Sequence, residues 1–478
     1  MRDSIIFYLN GTLHTLPAAD AFQTLSDFLR YQQGATGTKV VCAEGDCGAC
    51  TVLIGRVENQ RLRYRPINAC IQSMYQLDCT SIITVEGVKE NGVLNPIQSA
   101  MVENHAAQCG YCTPGFVMSL CALFEEQTQV TARQVQDALT GNLCRCTGYE
   151  PIITSALKVE TERLTRFQAR YPTEEMLATL AQHQEPVHLE FTNKVFYSPV
   201  DLAGAVAFKA EHPQTLIVQG ATDVGVWCNK RGYVTQTVMS LNQVSELKTL
   251  TVEDGLLIVG ARVTLQDLED FTRDVVPEFH RILSIFGSPQ IKHAGTLAGN
   301  IANGSPIADS LPFLFVTQAQ VELTGLNGSR LVDINQLYLG YKQLDIQPDE
   351  LITRVLIPLP AAGEILKLYK VSKRKDLDIS SFTAGFKLAL TGDIIESIHI
   401  AYGGVGPVVL RLPKTEAFLT GRELSLEAIE QAGQLARQEI SPISDVRGSS
   451  QFRFQLAENI LKKFYFELQE ERESVCRS

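Results

Sequence analysis

A chain of 478 residues, 45% hydrophobic and 20% charged, is long enough for three or four globular domains with cores of their own, which excludes a disordered or fibrous protein. With 53 acidic against 42 basic side chains the formal net charge is -11, which excludes the basic surface that a phosphate backbone requires. The apolar run IIFYL near the N-terminus is too short for a signal peptide or membrane anchor, and no later segment is apolar enough to span a bilayer. A soluble cytoplasmic protein is expected.

Of the 12 cysteines all but Cys228 and Cys476 lie in the first 146 residues, a clustering that in a long chain points to metal binding rather than to a disulfide scaffold. In chain order, SIIFYLNGTLHTL, ACTVLIG, LRYRPINAC and SIITVEG are short, rich in β-branched and aromatic residues and bounded by turn signals. With one helix near residues 22–32 they predict a small mixed sheet. Within this region GTKVVCAEGDCGACTVLIG spaces Cys42, Cys47 and Cys50 as C-x4-C-x2-C, and Cys70 follows in PINAC; this is plant-type [2Fe-2S] spacing. Three thiolates from one tight loop must converge, and Gly45 and Gly48 permit the bends that β-carbons would obstruct. A structural zinc site would use the same four ligands, although zinc ribbons favour two C-x2-C knuckles over this asymmetric spacing.

From residue 95 the pattern turns helical. Asn95 is a candidate N-cap with Pro96 at the first helical position and Gln98 closing the cap, and Ile97, Ala100 and Met101 share a face. The second helix starts at Thr113 and Pro114, the third after a capping box from Thr131 to Gln134, stopping at Gly141, and the fourth at Pro151. Cys109 and Cys112 then lie between helices one and two, and Cys144 and Cys146 between three and four. An antiparallel four-helix bundle can place both loops at one end, and C-x2-C with C-x-C fits a second [2Fe-2S] cluster. Cys121, on the apolar run FVMSLCALF, reads as a buried small hydrophobe, and Cys79, Cys228 and Cys476 have no spaced partners.

Residues 160–190 are polar, with little apolar periodicity, and predict a linker with some helix. Strand-like TLIVQG, GLLIVGA, LITRVLIPLP and SIHIAYGG then alternate with helical VDLAGAVAFKAEH and LSLEAIEQAGQLARQEI, a mixed α and β pattern. Two glycine-rich stretches, LIVQGATDVGVW and FGSPQIKHAGTLAGNIANGSPIADSLP, are either turns or nests of backbone N–H groups for a pyrophosphate, with Thr222, Thr296 and Asn300 adding short polar side chains. Neither matches G-x-G-x-x-G or a P-loop.

The segments GTKVVCAEGDCGACTVL, QCGYCTPGF and GNLCRCTGYEPI resemble the iron-sulfur segments of the molybdenum hydroxylases, the family of xanthine dehydrogenases, aldehyde oxidases and carbon monoxide dehydrogenases; the glycine-rich stretches resemble its FAD-binding domain. The resemblance implies an α+β multidomain protein: a β-grasp ferredoxin-like domain (1–86), a four-helix-bundle [2Fe-2S] domain (87–162), a linker (163–190), a non-Rossmann α/β FAD-binding domain (191–363) and a C-terminal α/β flavoprotein domain (364–478). It further implies FAD contacts at Val218, Gln219, Gly220, Ala221, Thr222, Asp223, Val224, Phe286, Thr296, Leu297, Ala298, Gly299, Asn300, Asp309, Ile352 and Lys370. Gln108 and Cys146 would face a molybdenum cofactor on a partner chain. Two wordings depart from the family: Ala298 stands for a usual glycine, and Lys375 and Leu377 alter a stretch near the nicotinamide entry. Electron transfer through iron-sulfur centres and a flavin needs no nucleophile, and the sequence offers no triad. Iron-sulfur and flavin parts fused in this order resemble bacterial xanthine dehydrogenases, which implies an electron-transfer subunit, in an α2β2 assembly with a large molybdenum-cofactor subunit, passing electrons from purine hydroxylation to NAD+. An aldehyde or N-heterocycle dehydrogenase, a stand-alone flavin reductase and a zinc-binding interaction module remain open alternatives.

Overall fold

The computed structural model describes residues 1–171 and 173–477; the side chains of Thr173 and of residues 474–477 lie outside the described set, Cys476 among them. The chain forms two compact units, one of residues 1–246 and 287–295, the other of residues 247–286 and the chain from 296 onward.

In the first unit, β1 (Ser4–Leu9), β2 (Thr12–Pro17), β3 (Thr51–Glu58), β4 (Arg61–Asn68) and β5 (Thr80–Ile83) form a mixed sheet in the order β2-β1-β5-β3-β4. Only the β1–β5 pair is parallel. Side chains alternate between faces along a strand, and here both faces are buried. Ile5, Phe7, Val52 and Ile54 enter one core, while Tyr8, Leu53 and Ile83 enter another. The first core is shared with a second sheet, β6 (Val187–Phe191), β7 (Lys194–Ser198), β8 (Leu216–Ile217) and β9 (Thr237–Met239), through Val187, Leu189, Phe196 and Val238. The helix expected near residues 22–32 is Leu25–Asp27 continued by a π turn, Phe28–Gln32.

The other core takes four helices: Pro96–Glu103, Thr113–Glu126, Ala132–Ala138 and Glu150–Leu157. Both expected capping boxes form, Asn95 with Gln98 and Thr131 with Gln134. The stretch expected to be a linker is packed rather than loose. It forms helices Phe167–Arg170 and Thr173–Gln182, buries Phe167, Met176 and Leu180 in the second core, and the Gln168 Nε2 donates to the Leu62 carbonyl at 2.8 Å. Its apolar residues are divided between two short helices, so neither shows a periodicity of its own.

In the second unit, β10 (Leu250–Glu253), β11 (Leu256–Gly260), β12 (Gln320–Gly325), β13 (Gly328–Asp333) and β16 (Leu351–Pro358) form a sheet in the order β10-β11-β16-β12-β13, with a small hairpin of β14 (Tyr338–Gly340) and β15 (Gln343–Leu344) beside β13 in sequence. Alternate β16 residues Leu351, Thr353, Val355 and Ile357 are buried. Another sheet, β17 (Ile365–Val371), β18 (Phe382–Thr391), β19 (Ile394–Gly403) and β20 (Leu410–Arg411), is covered by helices Leu426–Gln438 and Ser450–Arg477, with Phe386 stacked on Phe464 at 4.6 Å between ring centroids. Every strand pair in these two sheets is antiparallel, unlike the parallel sheet of a Rossmann fold. No helix among the described residues is long and apolar enough to cross a membrane.

Candidate functional site

Residues 42–50 form an irregular loop entering β3, and Cys70 follows the end of β4, so the sheet itself delivers the fourth thiol to the first three. Gly45 and Gly48 adopt φ of +78° and +70°, a region that side chains disfavour. The Cys42 thiol lies within hydrogen-bonding reach of Cys47 and Cys70, and Cys50 of Cys70. The Cys47 N–H and the Asn68 Nδ2 further donate to the sulfurs of Cys42 (3.4 Å) and Cys50 (3.9 Å). Hydrogen bonds from Cys47 and Cys70 hold Cys42 well below the ordinary thiol value, and the same contacts push Cys47 and Cys70 up. Cys47 and Cys70 thus retain their protons, and binding a metal centre would release them.

The second set gathers at one end of the helical bundle. The Cys146 Sγ lies 3.6 Å from the Cys109 Sγ, and Cys112, the N-cap of Thr113–Glu126, interacts with Cys144. Burial, then the contact with Cys144, pushes the Cys112 thiol up to about 12. The Cys144 N–H donates to the Tyr149 hydroxyl at 3.0 Å, closing a turn in which Tyr149 and Gly148 take φ of +71° and +68°. Cys109, Cys146 and Gln108 are exposed.

Among the described residues no three His, Cys, Asp or Glu side chains are arranged to hold a metal ion. In the first set the contacts run from Cys47 to Cys42, from Cys42 to Cys70 and from Cys70 to Cys50, and in the second Cys109 meets Cys146 and Cys112 meets Cys144. Four converging thiols supply two thiolates for each iron of a two-iron centre, so both donor sets fit [2Fe-2S] clusters. Of the remaining cysteines, Cys121 is buried, and burial raises Cys79 to about 12. Replacing Cys146 by serine is expected to abolish one iron-sulfur spin resonance signal and spare the plant-type one. Loss of both, or of neither, would contradict two separately held clusters.

The residues expected at the flavin are distributed over both units. In the first, Val218 follows β8 and Val224 begins the helix Val224–Arg231; Gly220 lies so close to Ala294 that a β-carbon would meet its carbonyl at 1.9 Å. Ala221 takes φ of +56°, and among the described residues the N–H groups of Gln219, Gly220, Ala221 and Thr222 make no hydrogen bond. The buried Gln219 Oε1 likewise has no partner. Unpaired backbone donors in a tight turn fit an anionic pyrophosphate. Asp223 closes the turn, its carbonyl accepting from the Trp227 N–H at 2.9 Å.

In the second unit, Thr296 caps the helix Leu297–Asn303, accepting from the Gly299 N–H at 3.0 Å, and the Asn300 Oδ1 accepts from the Ser310 hydroxyl at 2.6 Å. Ala298 lies in the ordinary helical part of this segment, where alanine is no burden in place of glycine. Asp309 is buried, with its carboxylate paired to Lys370 Nζ at 2.6 Å and accepting from the Ser380 hydroxyl at 2.5 Å; Lys370 also donates to the Ile285 carbonyl at 3.0 Å. Burial raises the Asp309 pKa despite the lysine. Phe286 and Ile352 pack half-buried against the core. Leu377 takes φ of +69° in a turn held by the Arg374–Asp378 ion pair. A buried glutamine, Gln290, joins the two thiol loops and was given no role by spacing or composition, since nothing in a lone Gln marks its destination.

Two four-thiol sets followed by flavin-type domains define an iron-sulfur flavoprotein. Residues 7–80 match the 2Fe-2S iron-sulfur cluster binding domain, residues 84–157 the [2Fe-2S] binding domain, residues 189–360 the FAD binding domain in molybdopterin dehydrogenase, and residues 367–468 the CO dehydrogenase flavoprotein C-terminal domain. The chain belongs to the molybdenum hydroxylase family and has the domain set of its iron-sulfur and FAD subunit. It is 31% identical to the xanthine dehydrogenase of Oryza sativa subsp. japonica over 98% of this chain and 40% of that protein, and 30% identical to aldehyde oxidase 1 of Bos taurus over 97% and 39%. The chain thus spans about two fifths of the length of these curated relatives. Reconstituted CO dehydrogenase from Oligotropha carboxidovorans superposes with a TM-score of 0.54 at 26% identity, over 57% of this chain and 96% of that one.

Proposed function

We propose that the chain is the electron-transfer subunit of a xanthine dehydrogenase, taking electrons from a molybdenum cofactor on a large partner subunit, through two [2Fe-2S] clusters, to FAD and on to NAD+ during hypoxanthine and xanthine oxidation, in an α2β2 assembly. The observation that supports this most is the junction of the two thiol sets: the Leu143 N–H, next to Cys144, donates to the carbonyl of Cys47 at 3.0 Å. Cys42, Cys47, Cys50 and Cys70 would hold one cluster, and Cys109, Cys112, Cys144 and Cys146 the other, with the exposed pair Cys109 and Cys146 toward the partner. FAD, when bound, would accept electrons one at a time and deliver them in pairs. The chain's own part is to hold these centres in order and to keep Asp309 and Lys370, two of the residues expected at the flavin, buried and paired.

A second reading, service to an aldehyde-oxidising enzyme, is favoured by the 30% identity to aldehyde oxidase 1. Purified protein is expected to contain about four iron atoms and one FAD per chain, given two sets of four cysteine ligands. Co-purification from the native source, followed by turnover assays with xanthine, aldehydes and NAD+, separates the readings. Zinc in place of iron would reject both.

A further inference from the structure

The two thiol loops are held together by a buried polar node whose centre comes from far along the sequence. Gln290, on the short helix Pro289–Lys292, is fully buried, with 0% of its surface exposed. Its Nε2 lies within hydrogen-bonding distance of three acceptors: the Thr51 Oγ1 at 3.2 Å, the Ser119 Oγ at 3.2 Å and the Asn142 Oδ1 at 3.0 Å. Thr51 follows Cys50, and Asn142 stands two residues before Cys144, so one amide spans both loops. Asn142 completes the bridge by donating to the Gly48 carbonyl at 3.2 Å and accepting from Ser119 at 2.7 Å. The fit leaves no slack: a β-carbon on Gly141 would meet the Gln290 Oε1 at 2.0 Å, and one on Gly115 would meet the Gly48 carbonyl at 2.2 Å.

The Gln290 Oε1 is buried without a partner. A buried amide that leaves an acceptor unmet is costly, and an apolar side chain of the same volume would avoid the cost. What the amide alone supplies is donors that fix Asn142 and Thr51 at a set separation. Beside them runs a hydrogen-bonded connection between the two sets, from Cys47 through its carbonyl to the Leu143 N–H and on to Cys144.

We propose that Gln290 is a positioning residue for electron transfer between the two clusters, setting the distance and hydrogen-bonded contact between the Cys47 and Cys144 loops. The proposal rests on the assignment of both thiol sets to [2Fe-2S] clusters. The test is Gln290→Leu in the iron-loaded, FAD-loaded full chain. Iron content and both spin resonance signals should be retained, while the magnetic interaction between the two reduced clusters weakens and electrons entering the second cluster reach the first more slowly. Unchanged interaction and unchanged transfer overturn the proposal. If Gln290→Leu yields no iron-loaded protein, Gln290→Glu, which keeps the shape and loses the N–H donors, is read by the same two measurements. Loss of iron in both variants also overturns it, because the glutamine would then serve folding alone. Absence of two signals in the unaltered protein would instead reject the cluster assignment itself.

Discussion

Lys370→Met is expected to destabilise the second unit by about 3–5 kcal/mol, the usual cost of leaving one member of a buried ion pair without its partner. Lys370 and Asp309 have side chains only 1% and 6% exposed, and the lysine is the counter-charge 2.6 Å from the carboxylate. Methionine keeps the aliphatic stem but leaves Asp309 with the Ser380 hydroxyl alone. For a unit of this size the thermal midpoint should fall by roughly 10 °C. The pH dependence follows from the sign of the shift. The Asp309 pKa is already raised by burial and rises further without the lysine, so the folded variant binds a proton more readily than its unfolded chain. The penalty is therefore greatest near neutral pH and shrinks as acid protonates the carboxyl. Adding Asp309→Asn, which removes the stranded charge, should recover much of the loss. A midpoint unchanged in Lys370→Met, or lowered equally in the double variant, would show that the pair contributes no such coupling. Loss of FAD from a variant that remains folded would add that the pair serves the flavin as well as the fold.

Much of this architecture was legible because it rests on local chemistry. Capping residues such as Asn95 and Thr131 act within one turn, so the starts of their helices could be read directly. The cysteine spacings likewise encode two loops whose thiols meet, and the bundle brings Cys109 to Cys146 as the helix order requires. What escaped was long-range. Residues 160–190 read as a linker because Phe167, Met176 and Leu180 find their core only in tertiary contact with the ferredoxin sheet. Gln290 lies 148 residues beyond Asn142, and no local pattern announces that its amide is buried between them. The flavin residues were visible only through resemblance, since glycine-rich turns have no spacing of their own to distinguish a pyrophosphate nest from a bend.

Gly48→Ala should be the most damaging small substitution in the first unit. At φ of +70° a β-carbon is strained by about 1–2 kcal/mol in any surroundings. Here the new atom would also lie 2.2 Å from the Gly141 carbonyl and 2.6 Å from the Asn142 amide. The first contact is a β-carbon against a backbone carbonyl, which no rotamer change relieves, so overpacking adds roughly 1–3 kcal/mol. Relief requires the loop bearing Cys47 and Cys50 to move away from the loop bearing Cys144, which breaks the Leu143–Cys47 and Asn142–Gly48 hydrogen bonds. The expected result is loss of the plant-type signal and a fall in iron from about four to about two atoms per chain. Gly110→Ala is the matched control: its φ is +79°, it lies between Cys109 and Cys112, and nothing stands within 4 Å of the added carbon. That variant should suffer the backbone strain alone and keep both clusters. If the two alanines cost the same stability and retain the same iron, close contact between the thiol loops is not what holds the first cluster in place.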